Sequence, residues 1–157
     1  MRIVPVSAAE KPELWRHLQD YMRELLPYGG QLAPADGDLP YGHFDTYWRE
    51  PETRWPFWGM RDPGRAGFAF VRKESGRMEM AEFYCFPQFR RSGVGLAFAR
   101  GLLSRFPGPW EITQFAEHAG AVRFWHRVLA DMPFEESRYV GEQSGKPRRR
   151  QRFVVPH

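Results

Sequence analysis

In the stretch FPQFRRSGVGLAFARGLL, residues 86–103, the chain turns at Pro87, sets Arg90, Arg91 and Ser92 in a row, and places Gly93 and Gly95 where a helix begins. The helix is read from Val94, Ala97, Phe98, Gly101 and Leu102, which recur at i, i+3, i+4, i+7 and i+8. Glycine in a helix interior costs about 1 kcal/mol against alanine. Two glycines at a helix start therefore ask for a special backbone angle, or for something large lying against bare main chain.

Working outward, RMEMAEFYCF after the Ser75-Gly76 turn reads as the strand that delivers this motif. RWPFWGMRD and GRAGFAFVRKES flank a Pro-Gly turn and predict a hairpin. Upstream, RIVPVS alternates like a short strand. AAEKPELWRHLQDYMRELL then places Leu14, Leu18, Tyr21, Met22 and Leu25 on one helical face. Residues 27–40 read as a loop, and YGHFDTYWRE as a short helix. Downstream, WEITQF is a strand and AGAVRFWHRVL a helix with Ala121, Phe124, Trp125, Val128 and Leu129 on one face. FEESRYV and RQRFVV close the chain as a strand pair around a polar, basic loop. This order predicts an α/β (α+β sandwich) fold, with helices on both faces of one sheet. No internal repeat or boundary divides residues 1–157, so one domain is expected.

The totals agree with a soluble globular chain: 42% hydrophobic and 27% charged over 157 residues. One cysteine, Cys85, excludes an internal disulfide or a cysteine-cluster metal site. No stretch is apolar enough for a signal peptide or a membrane span, so a cytoplasmic protein is expected, without membrane association. A net charge of +4 favours an anionic partner only mildly.

The glycines can be tested against two phosphate motifs. A Walker-type loop needs Lys and Ser or Thr after its second glycine, but Leu96-Ala97 follow Gly95. The dinucleotide fingerprint needs a small residue where Phe98 stands. What remains is a strand end, a cationic loop and a helix start, which together form an anion site of unpaired N–H groups and positive helix end. The alternative is a tight turn in which the glycines merely fit the bend.

With EFYCFP ahead of it, QFRRSGVG resembles motif A of the GNAT superfamily of acetyl-CoA-dependent N-acetyltransferases: Arg or Gln, two residues, Gly, one residue, Gly or Ala. Arg90, Gly93 and Gly95 carry the match, and Pro87 and Phe89 fit the usual lead-in. EHAGAVRFWHRVL is similar to the family's next segment, matching at Ala121 and Phe124. The resemblance implies a mixed, largely antiparallel central sheet in which the motif strand splays from its neighbour. It implies that the main chain of Phe83, Tyr84 and Cys85 pairs with the pantetheine arm of acetyl-CoA. Backbone N–H groups of Arg91, Ser92, Gly93, Val94, Gly95 and Leu96 would hold the pyrophosphate, with charge from Arg90 and Arg91. His118, Ala121 and Phe124 would lie along the cofactor's other side.

Two departures stand out. His118 replaces the usual Asn but can still donate a hydrogen bond. Trp125 stands where many members carry the tyrosine that protonates the departing thiolate, and an indole N–H is no such acid.

Transfer to an amine needs a base to remove the amine's proton. Glu79 and Glu82 lie on the motif strand, on opposite faces if the strand is regular, and a bulge would change that parity. Glu82 ranks first, because several members of the family are acidic there. His118, Glu117 and His126 are secondary candidates. Cys85 reads as a small core residue rather than a nucleophile. The acceptor region holds Tyr28, Tyr41, Phe44, Tyr47, Trp48, Trp55 and Trp58, most of them expected in the core. Asp36, Asp38 and Asp45 are candidates to attract a cationic amine.

The leading expectation is therefore an N-acetyltransferase acting on a small-molecule amine by direct attack. The alternatives are a GNAT-fold protein that binds acetyl-CoA or CoA with weak catalysis, and, as a minor reading from GKPRRRQR, a basic nucleic-acid-associating module. A homodimer is one candidate assembly.

Overall fold

The computed structural model describes residues 1–29 and 37–157. Strands β2 (Arg54–Arg61) and β3 (Gly64–Glu74) bury long runs of residues, as strands covered on both faces do, whereas β4 (Arg77–Cys85) buries Met78, Met80 and Tyr84 between half-covered neighbours. Alternation sends Trp58, Phe68 and Phe70 to one face, where they meet Leu14 and Leu18 of α1 (Lys11–Leu25) and Tyr47 of α2 (Thr46–Arg49). Phe57, Ala69 and Val71 go to the other face, against α3 (Val94–Arg105) and α4 (Ala119–Val128).

With β1 (Arg2–Pro5), β5 (Gly108–Phe115), β6 (Glu135–Val140) and β7 (Pro147–Val155), the strands form one seven-stranded sheet in the order β1-β2-β3-β4-β5-β7-β6. Among the described residues, only β4 and β5 pair in parallel. This is the mixed, largely antiparallel sheet that the resemblance implied. No helix among the described residues is long and apolar enough to cross a membrane.

Local expectations shift in three places. On α3 the buried small residue is Ala99, while Ala97 is exposed. On α4, Val122 is buried with Trp125 and Val128, while Ala121 and Phe124 are half-covered. The terminal hairpin is longer than expected, because β7 already begins at Pro147 and takes Arg148 and Arg149 out of the loop.

Two features of β4 set up the site. Phe70 pairs with Glu82, and the next residue, Val71, pairs with Met80, so Ala81 is an extra residue in a β-bulge. Met78 and Met80 face α3 and α4, yet beyond the bulge Tyr84 faces α1. The slip therefore puts Glu79 and Glu82 on the same face, not on the opposite faces of a regular strand. Secondly, β4 and β5 pair only at Met78↔Trp110 and Glu79↔Glu111. Beyond these positions the two strands splay apart within the sheet.

Candidate active site

Where the β4–β5 ladder ends, a cleft of about 920 Å3 opens. Residues 79–83 of β4 and 111–115 of β5 form its walls, with Tyr21, Met22 and Leu25 of α1 and the β6–β7 turn around it. Glu82 stands in this wall. Its Oε1 accepts from the Tyr21 hydroxyl at 3.3 Å and its Oε2 from the Tyr41 hydroxyl at 3.4 Å. Burial pushes the Glu82 carboxyl up to about 7, against the opposing pull of the Tyr21 hydrogen bond and of Arg148 and Arg72 nearby. Burial also raises Tyr21 and Tyr41 well above the ordinary phenol value, so both stay protonated donors. A carboxyl that titrates near neutrality inside a cleft has the protonation balance a general base needs.

Glu79 shares the face but not the environment. Its Oε2 accepts from Arg72 Nε at 2.7 Å, which makes it one half of an ion pair. Tyr21, read from the sequence only as an apolar helix position, is a missed member of the site, as are Arg72, Thr113 and Arg148. Their signal lies in long-range pairing, since Tyr21 and Tyr41 reach Glu82 from 61 and 41 residues away.

At the other end of β4 the chain passes through a turn at Pro87–Phe89 into the glycine motif. Arg91 and Gly93 both adopt positive φ, +61° and +84°. A side chain on Gly93 would meet open space, so its backbone angle is what calls for glycine. The first hydrogen bond of the α3 end runs from Ala97 N–H to the Gly93 carbonyl. The N–H groups of Val94, Gly95 and Leu96 therefore have no acceptor in the helix ladder and present a positive helix end. Gly95 packs closely, since an added Cβ would lie 3.4 Å from the Phe124 ring and 3.5 Å from Cys85.

The side chains of the loop are engaged inwards. Ser92 donates its hydroxyl to the Phe89 carbonyl. Arg90 donates from Nε to the Cys85 carbonyl at 3.0 Å and pairs with Glu24 at 2.9 Å, while Glu24 also accepts from the Tyr84 hydroxyl. Arg90 thus ties the end of β4 to α1, and the anion-facing groups of this loop are main-chain N–H groups with the exposed Arg91. Burial pushes the Cys85 thiol up, which leaves it a poor nucleophile.

His118 caps α4. Its Nδ1 accepts from Ala121 N–H at 3.2 Å, so the proton sits on Nε2, and the ring stacks on Tyr28 at 4.1 Å. Desolvation lowers its pKa, so the neutral ring is the folded form. The cap therefore stabilises the fold fully above the unfolded histidine value and is lost as pH falls through the lowered folded one. His118→Ala should cost about 1 kcal/mol at pH 8. In urea melts repeated across pH the wild-type advantage should vanish at acid pH, and an advantage that grew at acid pH would contradict this assignment.

Next to the cap, Phe83 packs on Phe124 at 5.4 Å and edge-on to Trp125 at 5.1 Å. Trp125 is 6% exposed and lines the cleft as an apolar wall. His126 leads elsewhere, bonded to Glu136 of β6 at 2.6 Å, and Glu117 is exposed. Of the aromatics expected near the acceptor, Tyr41 lines the cleft and Tyr28 borders it through His118, whereas Tyr47, Trp58, Phe44 and Trp48 pack with α1 and Trp55 with Phe106. Asp38 accepts from the Trp15 indole at 2.7 Å and Asp45 pairs with Lys11 at 3.2 Å. Asp36 lies outside the described residues. The basic run is likewise spent internally, with Arg149 on Glu136 and Arg150 and Arg152 on Glu111. That distribution gives a nucleic-acid surface no support.

The architecture has many solved counterparts. A protein from Bacteroides thetaiotaomicron, described as an acetyltransferase from the GNAT family, superposes with a TM-score of 0.65 over 100% of this chain and 89% of its own, at 14% identity. The chain has the GNAT fold. A point mutant of the spermidine N-acetyltransferase of Vibrio cholerae gives a TM-score of 0.66 at 11% identity, covering 98% of this chain and 95% of its own. A ribosomal-protein α-N-acetyltransferase in complex with coenzyme A gives 0.70 at 7% identity, covering 98% and 93%. No family model matches the sequence, and no curated protein matches it.

Proposed function

We propose that this protein is an acetyl-CoA-dependent N-acetyltransferase that acts by direct attack on the amine of a small molecule, with residues 1–157 as one catalytic domain. The observation that carries the proposal is Glu82. A carboxyl brought to about 7 and held by two phenols stands in a cleft made by the opened β4–β5 seam.

The residues fit the group. The edge of β4 that faces β5, unpaired around Phe83, Tyr84 and Cys85 while the other edge pairs with β3, can take the pantetheine arm as an added strand. The N–H groups of residues 91–96 can take the pyrophosphate, and His118, Ala121 and Phe124 can border it. Acetyl-CoA supplies the activated acyl thioester. Glu82 accepts the proton that an arriving ammonium must lose before its nitrogen can attack. Trp125 and Phe83 keep water from that region. The GNAT-fold neighbours named above include proteins that act on a polyamine and on ribosomal proteins.

A second reading is acetyl-CoA binding with weak turnover. It is favoured by Trp125, a buried indole where many members of the family carry a tyrosine.

Calorimetric titration with acetyl-CoA tests the binding half. The wild type should bind, and Gly93→Glu and Gly95→Glu should weaken binding by about tenfold or more, because each puts an anion beside the pyrophosphate. Both variants should stay folded. Gly93→Glu pays about 1–2 kcal/mol for its backbone angle, and the Cβ of Gly95→Glu meets only near van der Waals contacts. No binding by the folded wild type would overturn the proposal. Binding without release of free thiol in the presence of a panel of amines would favour the second reading.

A further inference from the structure

Part of the charge lining the cleft is compensated. Glu79 is paired with Arg72 at 2.7 Å, and Glu111 with Arg152 at 2.8 Å and Arg150 at 3.3 Å. His118 is neutral, and Glu142 lies on the exposed β6–β7 turn. Among the described residues, three charged side chains of the cleft lack an oppositely charged partner within ion-pair distance: Glu82, whose partners are phenols, Glu142 on the exposed turn, and Arg148, the one cation of the three.

Arg148 is held for use rather than spent. Alternation along β7 separates it from Arg149, which reaches Glu136 on the α4 side. Its NH2 donates to the Thr113 hydroxyl at 3.1 Å, and its guanidinium lies 4.4 Å over the Phe115 ring. One hydrogen bond and one ring face fix the planar head and leave most of its five N–H donors without an acceptor among the described residues. A half-buried guanidinium in such a place stabilises an anion by a charge-assisted, two-pronged contact.

We infer that the acceptor is an amine that also carries a carboxylate, an amino-acid-like molecule, with its amino group toward Glu82 and its carboxylate on Arg148. The inference rests on the proposed acetyl transfer and goes further by naming the acceptor class. A single guanidinium matches one negative charge, whereas a dianionic phosphate would call for a second free cation, and the other arginine lining the cleft, Arg72, is paired with Glu79. A polyamine is a poor match, since its second cationic centre would meet Arg148.

The test uses matched acceptors with the full-length protein: phenethylamine against phenylalanine, and ethylamine against β-alanine and phosphoethanolamine, with spermidine alongside. Thiol release from acetyl-CoA gives kcat/KM for each, and thermal shift of the CoA-saturated protein reports binding without turnover. The carboxylated member of each pair should be preferred by about tenfold or more, mainly through KM. In Arg148→Met, which keeps the stem over Phe115, that preference should fall toward one, and Arg148→Lys should restore part of it. Equal use of paired amines by the wild type, preference for phosphoethanolamine or spermidine, or a preference that survives in Arg148→Met would each overturn the inference. Failure of acetyl-CoA to bind would instead remove the proposed function. Carboxylate-dependent thermal stabilisation that disappears in Arg148→Met would still support the Arg148 site in a protein without turnover, and its absence for every carboxylated amine would sink it.

Discussion

Glu82→Gln lowers turnover by between about a hundredfold and ten-thousandfold, the range over which a positioned general base contributes. The amide keeps the shape of the side chain and can still accept from Tyr21 or Tyr41, but it cannot take a proton. In the wild type, kcat/KM should rise with pH through about 7, where Glu82 ionises in the cleft. The variant should lose that limb. Stability should move the other way. Burial raises the folded carboxyl above its unfolded value, so the folded state holds a proton that the unfolded chain has released. Stability therefore falls as pH climbs from the unfolded value to about 7. The amide carries no such penalty, so Glu82→Gln should melt at or above the wild-type temperature at pH 8. Glu79→Gln, by contrast, breaks the Arg72 pair and should cost stability more than turnover. If the two variants exchanged these phenotypes, Glu79 would be the base.

Trp110→Ala is expected to cost about 3–5 kcal/mol, as deletion of a large core ring does. Trp110 is fully buried, stacks parallel to Phe153 at 7°, and donates its indole N–H to the Phe106 carbonyl at 2.8 Å. It also pairs with Met78 at the closed end of the β4–β5 ladder. At about 2–4 °C per kcal/mol for a chain of this size, thermal melting should drop by roughly 6–20 °C. A loss below about 1 kcal/mol would show that the sheet closes around the gap without this ring.

Much of this was legible in the residues. Gly93, Gly95 and Arg90 marked the motif, and the spacing to Ala121 and Phe124 marked the next one, because local backbone needs leave local traces. The hairpin around Pro63-Gly64 was legible for the same reason. What was hidden depends on register. Nothing near Ala81 announces a bulge, since the one-residue slip is set by how Phe70 and Val71 meet β4. The parity of Glu79 and Glu82, and so the difference between an ion-pair partner and a base, follows from it. Arg148 looked like one of three equal arginines. Only the alternation of β7, with Glu136 on one side and Glu111 on the other, separates it from its neighbours. Arg90 read as a phosphate ligand in the motif, and its bonds to Glu24 and the Cys85 carbonyl depend on α1, more than sixty residues upstream.

The two-rung ladder between β4 and β5 has a further consequence. Past Glu79 and Glu111 the sheet has an edge on each side of a gap in its own middle, in the place where a sheet is normally most shielded. Amide hydrogens there that point into the gap exchange with solvent as those of a rim strand do. A ligand laid along β4 would turn that rim back into interior. Hydrogen exchange should therefore slow in residues 81–85 when the ligand binds, while the long β2–β3 ladder, already closed, should register little change.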